Sequence, residues 1–164
     1  MRASNLLLLA AFAAFPALAQ QAADSAAQTT GEMTADAAVV ETPLEFRTIV
    51  GDNPIDIPAD EVTPAFEEFR QTGQNPFTGD EAALVVGEEL YAKLCQACHL
   101  PGGEGRIGPS LQDETWRHPV LRTAAGRFAI IHSGGAGAMQ AFFPRISLDE
   151  ILKVMAYIDT FRQG

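Results

Sequence analysis

The sequence predicts an all-α protein whose helices are joined by long loops. Two segments, 78–98 and 147–161, carry apolar residues at the spacing of one helical face, and each begins with a capping-box pattern. The stretch between them is rich in glycine and proline, and no segment combines alternating apolar and polar residues with flanking hairpin turns. These observations argue against a β-sheet and indicate a small helical domain.

Residues 1–19 are predicted to form a signal peptide. A basic residue, Arg2, precedes an apolar run, and Ala17 and Ala19 fit a small-residue cleavage site. A membrane anchor is the alternative, but the uncharged run is at the short limit for a bilayer span. Cleavage after Ala19 would leave an exported chain that begins at Gln20.

The chain of 164 residues has a net charge of −10. Nucleic acids and anionic membrane surfaces bind clustered basic residues, so neither is an expected partner. The charge is uneven, because residues 20–92 hold 15 acidic and 2 basic side chains, whereas residues 93–164 hold 6 acidic and 8 basic ones. The acidic half is either a solvated leader or one pole of a dipole that orients the molecule on a partner.

Composition divides the mature chain into three parts. Residues 20–40 show no periodic pattern of large apolar residues and are expected to be a disordered acidic leader. Residues 41–78 contain five prolines and are expected to form a proline-rich arm that wraps around the following domain, 79–164. One short helix fits this arm, with Thr63 as its cap and Gly73 at its end.

Two long helices organise the domain. The first is expected over 78–98 and begins with the Thr78–Glu81 capping box. The last begins with a second capping box, Ser147–Glu150, and its apolar residues cover more than half of its circumference, so it must be buried on two sides. We expect these helices to cross at Gly87, and a short helix over 123–132 to lie between them in the chain.

The sequence Cys95-Gln96-Ala97-Cys98-His99 has the spacing of a haem-attachment motif. Two thiols three residues apart can each add to a haem vinyl group, while the adjacent imidazole reaches the iron. A thioredoxin-like redox pair would need a preceding strand, and a zinc site would need a second pair of ligands. The motif therefore predicts one haem c, bound covalently through two thioethers, with His99 as an iron ligand.

The imidazole of His99 needs a hydrogen-bond acceptor on its second ring nitrogen, which fixes its orientation and basicity. The Gly108-Pro109 pair offers one, the backbone carbonyl of Pro109, with Leu111 expected to lie against the haem. A simple turn at Gly108-Pro109 is the alternative.

Met139 is the expected sixth ligand of the iron. It is the one large side chain in the glycine-rich and alanine-rich loop 134–139, where small residues let the backbone approach the haem. The other candidates are Met33, Met155, His118 and His132. Met33 lies in the leader, and Met155 lies on the buried face of the last helix. A thioether opposite an imidazole favours Fe(II), suits electron transfer and blocks the position that a haem enzyme would use.

Residues 79–164 resemble a class I cytochrome c. The order of features is the same: a helix, Cys95-x-x-Cys98-His99, Gly108-Pro109, a loop with Met139 and a C-terminal helix. A closer resemblance, from residue 46 to the end, is to cytochrome c-L and the inducible c-553-type cytochromes. It rests on Gln74–Gly79, Glu104–Pro109, Trp116, Gly134–Ala136 and Met139.

The resemblance implies a class I cytochrome c fold with an N-terminal proline-rich extension. It also implies a monomeric periplasmic electron carrier, not an enzyme. Its donor would be a methanol dehydrogenase containing pyrroloquinoline quinone (PQQ), and its acceptor another cytochrome c or a terminal oxidase. Gln140 follows Met139 where the family is expected to have a second methionine. In this respect the sequence resembles the c-L-like cytochromes that accompany lanthanide-type dehydrogenases. Calcium-type and lanthanide-type enzymes are therefore both candidate donors.

Two other functions fit the same motifs. A haem enzyme such as a peroxidase would need an open sixth position and a distal acid–base group, for which His132 is the candidate. A fixed subunit of a larger redox complex would use the proline-rich arm as a tether.

Overall fold

The computed structural model describes residues 42–162, so the predicted signal peptide and acidic leader lie outside the described residues. Within that range the protein has helices and loops without a β-strand, and one isolated antiparallel bridge joins Arg47 to Pro54. The α-helices are α1 (Pro64–Thr72), α2 (Glu81–Leu94), α3 (Gln96–His99), α4 (Ala124–Ser133) and α5 (Leu148–Thr160), and short 3-10 helices span Ala59–Glu61 and Pro119–Arg122. None of the helices in this range is long and apolar enough to cross a membrane.

Helix α1 begins and ends where the sequence predicts. The Thr63 hydroxyl accepts a hydrogen bond from the Phe66 N–H at 3.0 Å, and Pro64 occupies the first turn, where a missing N–H is tolerated. Gly73 ends the helix in the left-handed conformation, with a φ of 72°, and donates its N–H to the Phe69 carbonyl.

The arm packs into the core through an aromatic cluster. Phe46 of the arm lies 4.7 Å from Phe128 of α4, measured between ring centroids, and 5.6 and 6.0 Å from Phe66 and Phe69 of α1. All four rings are buried. Because burial of one such side chain contributes about 1.5–3 kcal/mol, the arm stabilises the domain that it contacts.

The predicted start of the first long helix is wrong. Helix α2 begins at Glu81, and its cap is Asp80, whose carboxylate accepts from the Ala83 N–H at 2.8 Å. Thr78 cannot serve as the cap because Gly79 adopts a φ of 77° and separates Thr78 from the helix by a left-handed turn. The predicted single helix over 78–98 is also interrupted, since α2 ends at Leu94 and the one-turn helix α3 follows.

Helices α2 and α5 cross at Gly87, as predicted. A Cβ atom added at Gly87 would collide with the backbone carbonyl of Lys153 and with Cβ of Tyr157, so the crossing requires glycine. The capping box of α5 is also confirmed, because the Ser147 hydroxyl and the Glu150 carboxylate each accept the other residue's N–H. Helix α5 packs against both α2 and α4.

Candidate haem site

A cavity of about 300 Å³ brings together the side chains singled out in the sequence. Its lining includes Cys95, Cys98, His99, Pro109 and Met139. The first three lie at the end of α2 and in α3, whereas Met139 belongs to the loop between α4 and α5. The fold therefore places the attachment motif and the predicted sixth ligand on the walls of one site.

The His99 imidazole is buried and oriented by one hydrogen bond. Its Nδ1 atom lies 2.9 Å from the Pro109 carbonyl oxygen, the acceptor expected from the sequence. With Nδ1–H donating to this carbonyl, Nε2 carries the lone pair that can bind a metal. Such a hydrogen bond also makes the ring a stronger electron donor to a bound metal.

The loop that carries Pro109 is hydrogen-bonded to the attachment motif. The Gly108 N–H donates to the Cys98 carbonyl at 3.1 Å, and the Gly105 N–H donates to the His99 carbonyl at 2.9 Å. These bonds hold the Pro109 carbonyl in place opposite Nδ1. The orientation of His99 is therefore a property of the loop and α3 together.

The two thiols are free and half-buried on the cavity wall. Burial, assisted by the neighbouring Cys98, raises the pKa of the Cys95 thiol to about 11. A thioredoxin-like redox pair instead needs a thiol with a lowered pKa. The environment of Cys95 therefore argues against thiol redox chemistry and fits a cysteine that is consumed in a covalent attachment.

Met139 is held at the cavity by backbone hydrogen bonds on both sides of its loop. The Gly135 N–H donates to the Met139 carbonyl at 3.0 Å, and the Phe142 N–H donates to the Ile131 carbonyl of α4 at 3.1 Å. The Met139 side chain is half-buried and packs against the hydrophobic core. The loop therefore presents one thioether to the site from a constrained backbone.

Comparison with known proteins gives consistent matches. The family described as cytochrome C oxidase, cbb3-type, subunit III matches residues 82–158. Cytochrome c-L of Methylorubrum extorquens is 34% identical over 122 residues, which cover 72% of this chain and 62% of that protein. The chain thus spans less than two thirds of the length of this relative.

Two crystal structures extend the match to the fold. Cytochrome cL from the marine methylotrophic bacterium Methylophaga aminisulfidivorans MPT superposes with a TM-score of 0.66 at 32% identity, covering 71% of this chain and 79% of that one. Cytochrome cL from Hyphomicrobium denitrificans gives 0.65 at 35% identity, covering 72% and 73%. The chain belongs to the cytochrome c-L family. Its helical fold is that of class I cytochromes c, as predicted.

The site of this cytochrome c-L family member fits the haem c cofactor that the family implies. The cavity offers two free thiols, an imidazole whose Nε2 remains for iron and a thioether. The Nε atom of Arg127, which lines the same cavity, is buried without a partner among the described residues. A buried cation of this kind matches the anionic carboxylates at the edge of a haem.

The structure distinguishes the other candidates for the sixth iron ligand by whether they line the cavity. Met155 of α5 is buried and lines the cavity, as does the half-buried His118. His132 is not part of the cavity lining, because its buried ring stacks on Phe143 at 4.5 Å between centroids. This placement argues against His132 as a ligand or as a distal group of a haem enzyme. Met33 lies outside the described residues.

Sequence reasoning missed two charged residues in the cytochrome c-L cavity. Asp159 and Arg162, near the end of α5, both line it. They follow Met155 by four and seven residues, a spacing that points side chains to one face of a continuous helix, although α5 itself ends at Thr160. That spacing was the available signal, but the sequence could not show that this end of α5 faces the cavity.

Proposed function

We propose that this chain is a periplasmic one-electron carrier with a single haem c, attached through thioethers at Cys95 and Cys98. His99 and Met139 would hold its iron. The observation that carries the proposal is the common cavity into which the fold brings these four side chains. When bound, haem c supplies a one-electron Fe(III)/Fe(II) couple.

The side chains around that group have distinct tasks. His99 would bind iron through Nε2 while its Nδ1–H donates to the Pro109 carbonyl, which holds the ring in position. Met139 would bind the iron through a soft thioether, which favours Fe(II). The buried residues around both ligands limit the entry of solvent.

We further propose that the donor is a PQQ-dependent methanol dehydrogenase of the calcium or lanthanide type. The acceptor is another cytochrome c or a terminal oxidase. Support comes from the match to cytochrome cL of a methylotrophic bacterium over 79% of that protein's chain. Electron transfer requires a small, transient contact, so the carrier is a monomer between encounters.

The docking surface in this proposal is the cavity rim, where Ile107 and Arg117 line the cavity and Arg106 adjoins Ile107 in the chain. Ile107 lines the cavity, yet 67% of its surface is exposed, and Arg106 and Arg117 are both exposed. An exposed apolar residue together with exposed cations favours a contact that is partly desolvated and steered by charge. Arg127 also lines the cavity but is half-buried in its wall, so it is not part of this docking surface.

The deciding experiment mixes the ferric protein with a PQQ methanol dehydrogenase and methanol, and follows haem reduction at several ionic strengths. We expect fast reduction that slows with salt. Haem that stays with the polypeptide in acidified acetone would establish the covalent attachment in the same preparation. If ascorbate reduces the protein but neither type of dehydrogenase does, the donor assignment is wrong and the carrier role remains.

A second candidate is a fixed subunit of a larger redox complex, favoured by the match to subunit III of a cbb3-type oxidase. Gel filtration of the mature protein at micromolar concentration separates the two arrangements. A free carrier elutes as a monomer, whereas a dedicated subunit co-purifies with its partners from the native host.

A further inference from the structure

The end of helix α5 packs on the loop over 100–111, which supplies the hydrogen-bond acceptor for His99. Phe161 caps this end of the helix, and its half-buried ring lies directly over the backbone of Gly103. A Cβ atom added at Gly103 would come within 2.6 Å of the ring, closer than Cβ atoms approach other groups in proteins. The contact therefore requires glycine at this position, and it seats the loop against α5.

The Phe161 ring is itself held from two directions. Its centroid lies 5.2 Å from that of Tyr91 on α2 and 5.1 Å from that of Tyr157 on α5, both in edge-to-face geometry. The Tyr91 hydroxyl also donates to the Leu100 carbonyl at 2.7 Å, at the start of the same loop. The ring and the beginning of the loop thus share the support of two packed helices.

Hydrogen bonds connect the aromatic contact at Gly103 to the Pro109 carbonyl. The Leu111 N–H donates to the Gly103 carbonyl at 2.7 Å, and Arg162 donates through Nε to the Leu111 carbonyl at 3.1 Å. Pro109 lies two residues before Leu111, and its carbonyl oxygen is 2.9 Å from His99 Nδ1. A displacement of the loop at Gly103 would therefore move the acceptor of the imidazole.

We propose that Phe161 is a positioning residue for His99, which holds the Pro109 carbonyl at hydrogen-bond distance from Nδ1 and thereby sets the midpoint potential. This inference rests on the haem-carrier proposal, in which His99 would bind the iron. Phe161 is not part of the cavity lining, so it acts on the site through the loop. The Pro109 carbonyl makes the imidazole a stronger electron donor, which favours Fe(III) and lowers the potential.

The test compares the midpoint potential of the haem-loaded parent protein with that of Phe161→Leu. Without the ring the loop moves away from His99, the hydrogen bond to Pro109 weakens, and the potential shifts upward. In the Fe(II) protein, the proton resonance of His99 Nδ1–H shifts upfield in the same variant because its hydrogen bond is longer. Phe161→Tyr keeps a ring over Gly103 and retains the parent values of both quantities.

Phe69→Leu is the matched control, because it makes the same substitution at a buried ring of the aromatic cluster, outside the cavity lining. We expect it to lower the free energy of unfolding while the potential and the His99 resonance keep their parent values. A potential that shifts equally in both variants would overturn the inference, because it would reflect general loosening of the protein. A parent-like potential in Phe161→Leu would also overturn it.

If Phe161→Leu does not accumulate with haem, Phe161→Met is measured instead, because the flexible methionine side chain adapts to the space left by the ring. The expected shifts have the same direction, and their absence refutes the inference. A parent protein without a haem spectrum would refute the haem-carrier proposal and this inference together. A parent protein with a haem spectrum whose potential does not change on substitution of Phe161 would refute this inference alone.

Discussion

The backbone of Gly108 leaves no room for a side chain beside the His99 imidazole: a Cβ atom added at Gly108 would lie 2.5 Å from the ring atom Cε1. Atoms in proteins do not approach that closely, so the loop that supplies the Pro109 carbonyl can reach His99 only with glycine at this position. The proposed iron ligand and the loop that orients it are therefore sterically interlocked.

Gly108→Ala is expected to push this loop away and weaken the hydrogen bond from His99 to Pro109. A less basic imidazole stabilises Fe(III) less, so the midpoint potential should rise. The overpacking should also lower the free energy of unfolding by about 1–3 kcal/mol. Gly102→Ala is the control, because the atoms that its Cβ would meet belong to the flexible end of the Glu104 side chain. Equal potentials in the two variants would contradict this account.

Met139→Ala is expected to abolish the ferric Met–iron absorption band and to lower the midpoint potential, because the soft thioether that favours Fe(II) is lost. Met155→Leu is the matched control, since Met155 also lines the cavity but lies on α5. Visible spectroscopy of the two ferric variants is sufficient. A band lost in Met155→Leu and kept in Met139→Ala would exchange the roles of the two methionines.

Phe46→Ala tests whether the arm belongs to the folded unit. The Phe46 ring is 6% exposed within the aromatic cluster, so its removal should lower the free energy of unfolding by about 3–5 kcal/mol. Val50→Ala, in the same arm but 58% exposed, should change it by less than about 0.5 kcal/mol. Denaturant titration of both variants gives the comparison. Similar values would mean that the arm contributes little to the fold in solution.

Charge reversal at the cavity rim tests the docking proposal. Arg106→Glu and Arg117→Glu should each slow reduction by the dehydrogenase at low salt, and the difference should shrink as ionic strength increases. Arg145→Glu changes the net charge equally at an exposed site outside the cavity lining. If Arg145→Glu slows the reaction as much as the rim variants do, the rate depends on net charge alone.

His132 is expected to make stability depend on pH. Burial lowers the pKa of His132 below its ordinary value of 6.5, so the unfolded chain binds this proton more readily than the folded protein. The contribution to stability is therefore complete above pH 6.5 and is lost as the pH falls towards the lowered pKa. His132→Phe, which keeps an aromatic ring against Phe143, should flatten this part of the profile. Unfolding titrations at a series of pH values measure the difference.

Local patterns explain why several elements could be predicted from the sequence. The Thr63 cap and the Ser147–Glu150 capping box involve residues three apart, and their hydrogen bonds form within one helical turn. The start of α2 was missed because Gly79 adopts a left-handed conformation, which moves the cap from Thr78 to Asp80. Either residue is a good cap by type, and the turn before the helix decides between them.

The all-α class and the motif Cys95-x-x-Cys98-His99 follow from local patterns, because both depend on spacing within a few residues. The crossing at Gly87 could also be predicted, since a glycine inside the apolar stripe of a helix needs a closely packed neighbour to offset its low helix propensity. Helix packing, in contrast, brings Met139 into one cavity with His99 and leaves the His132 ring stacked on Phe143 outside the cavity lining. The same packing places Asp159 of α5, Arg127 of α4 and Trp116 of the loop before α4 on the wall of one cavity. Contacts between such distant segments depend on helix packing and loop geometry, which local spacing does not encode.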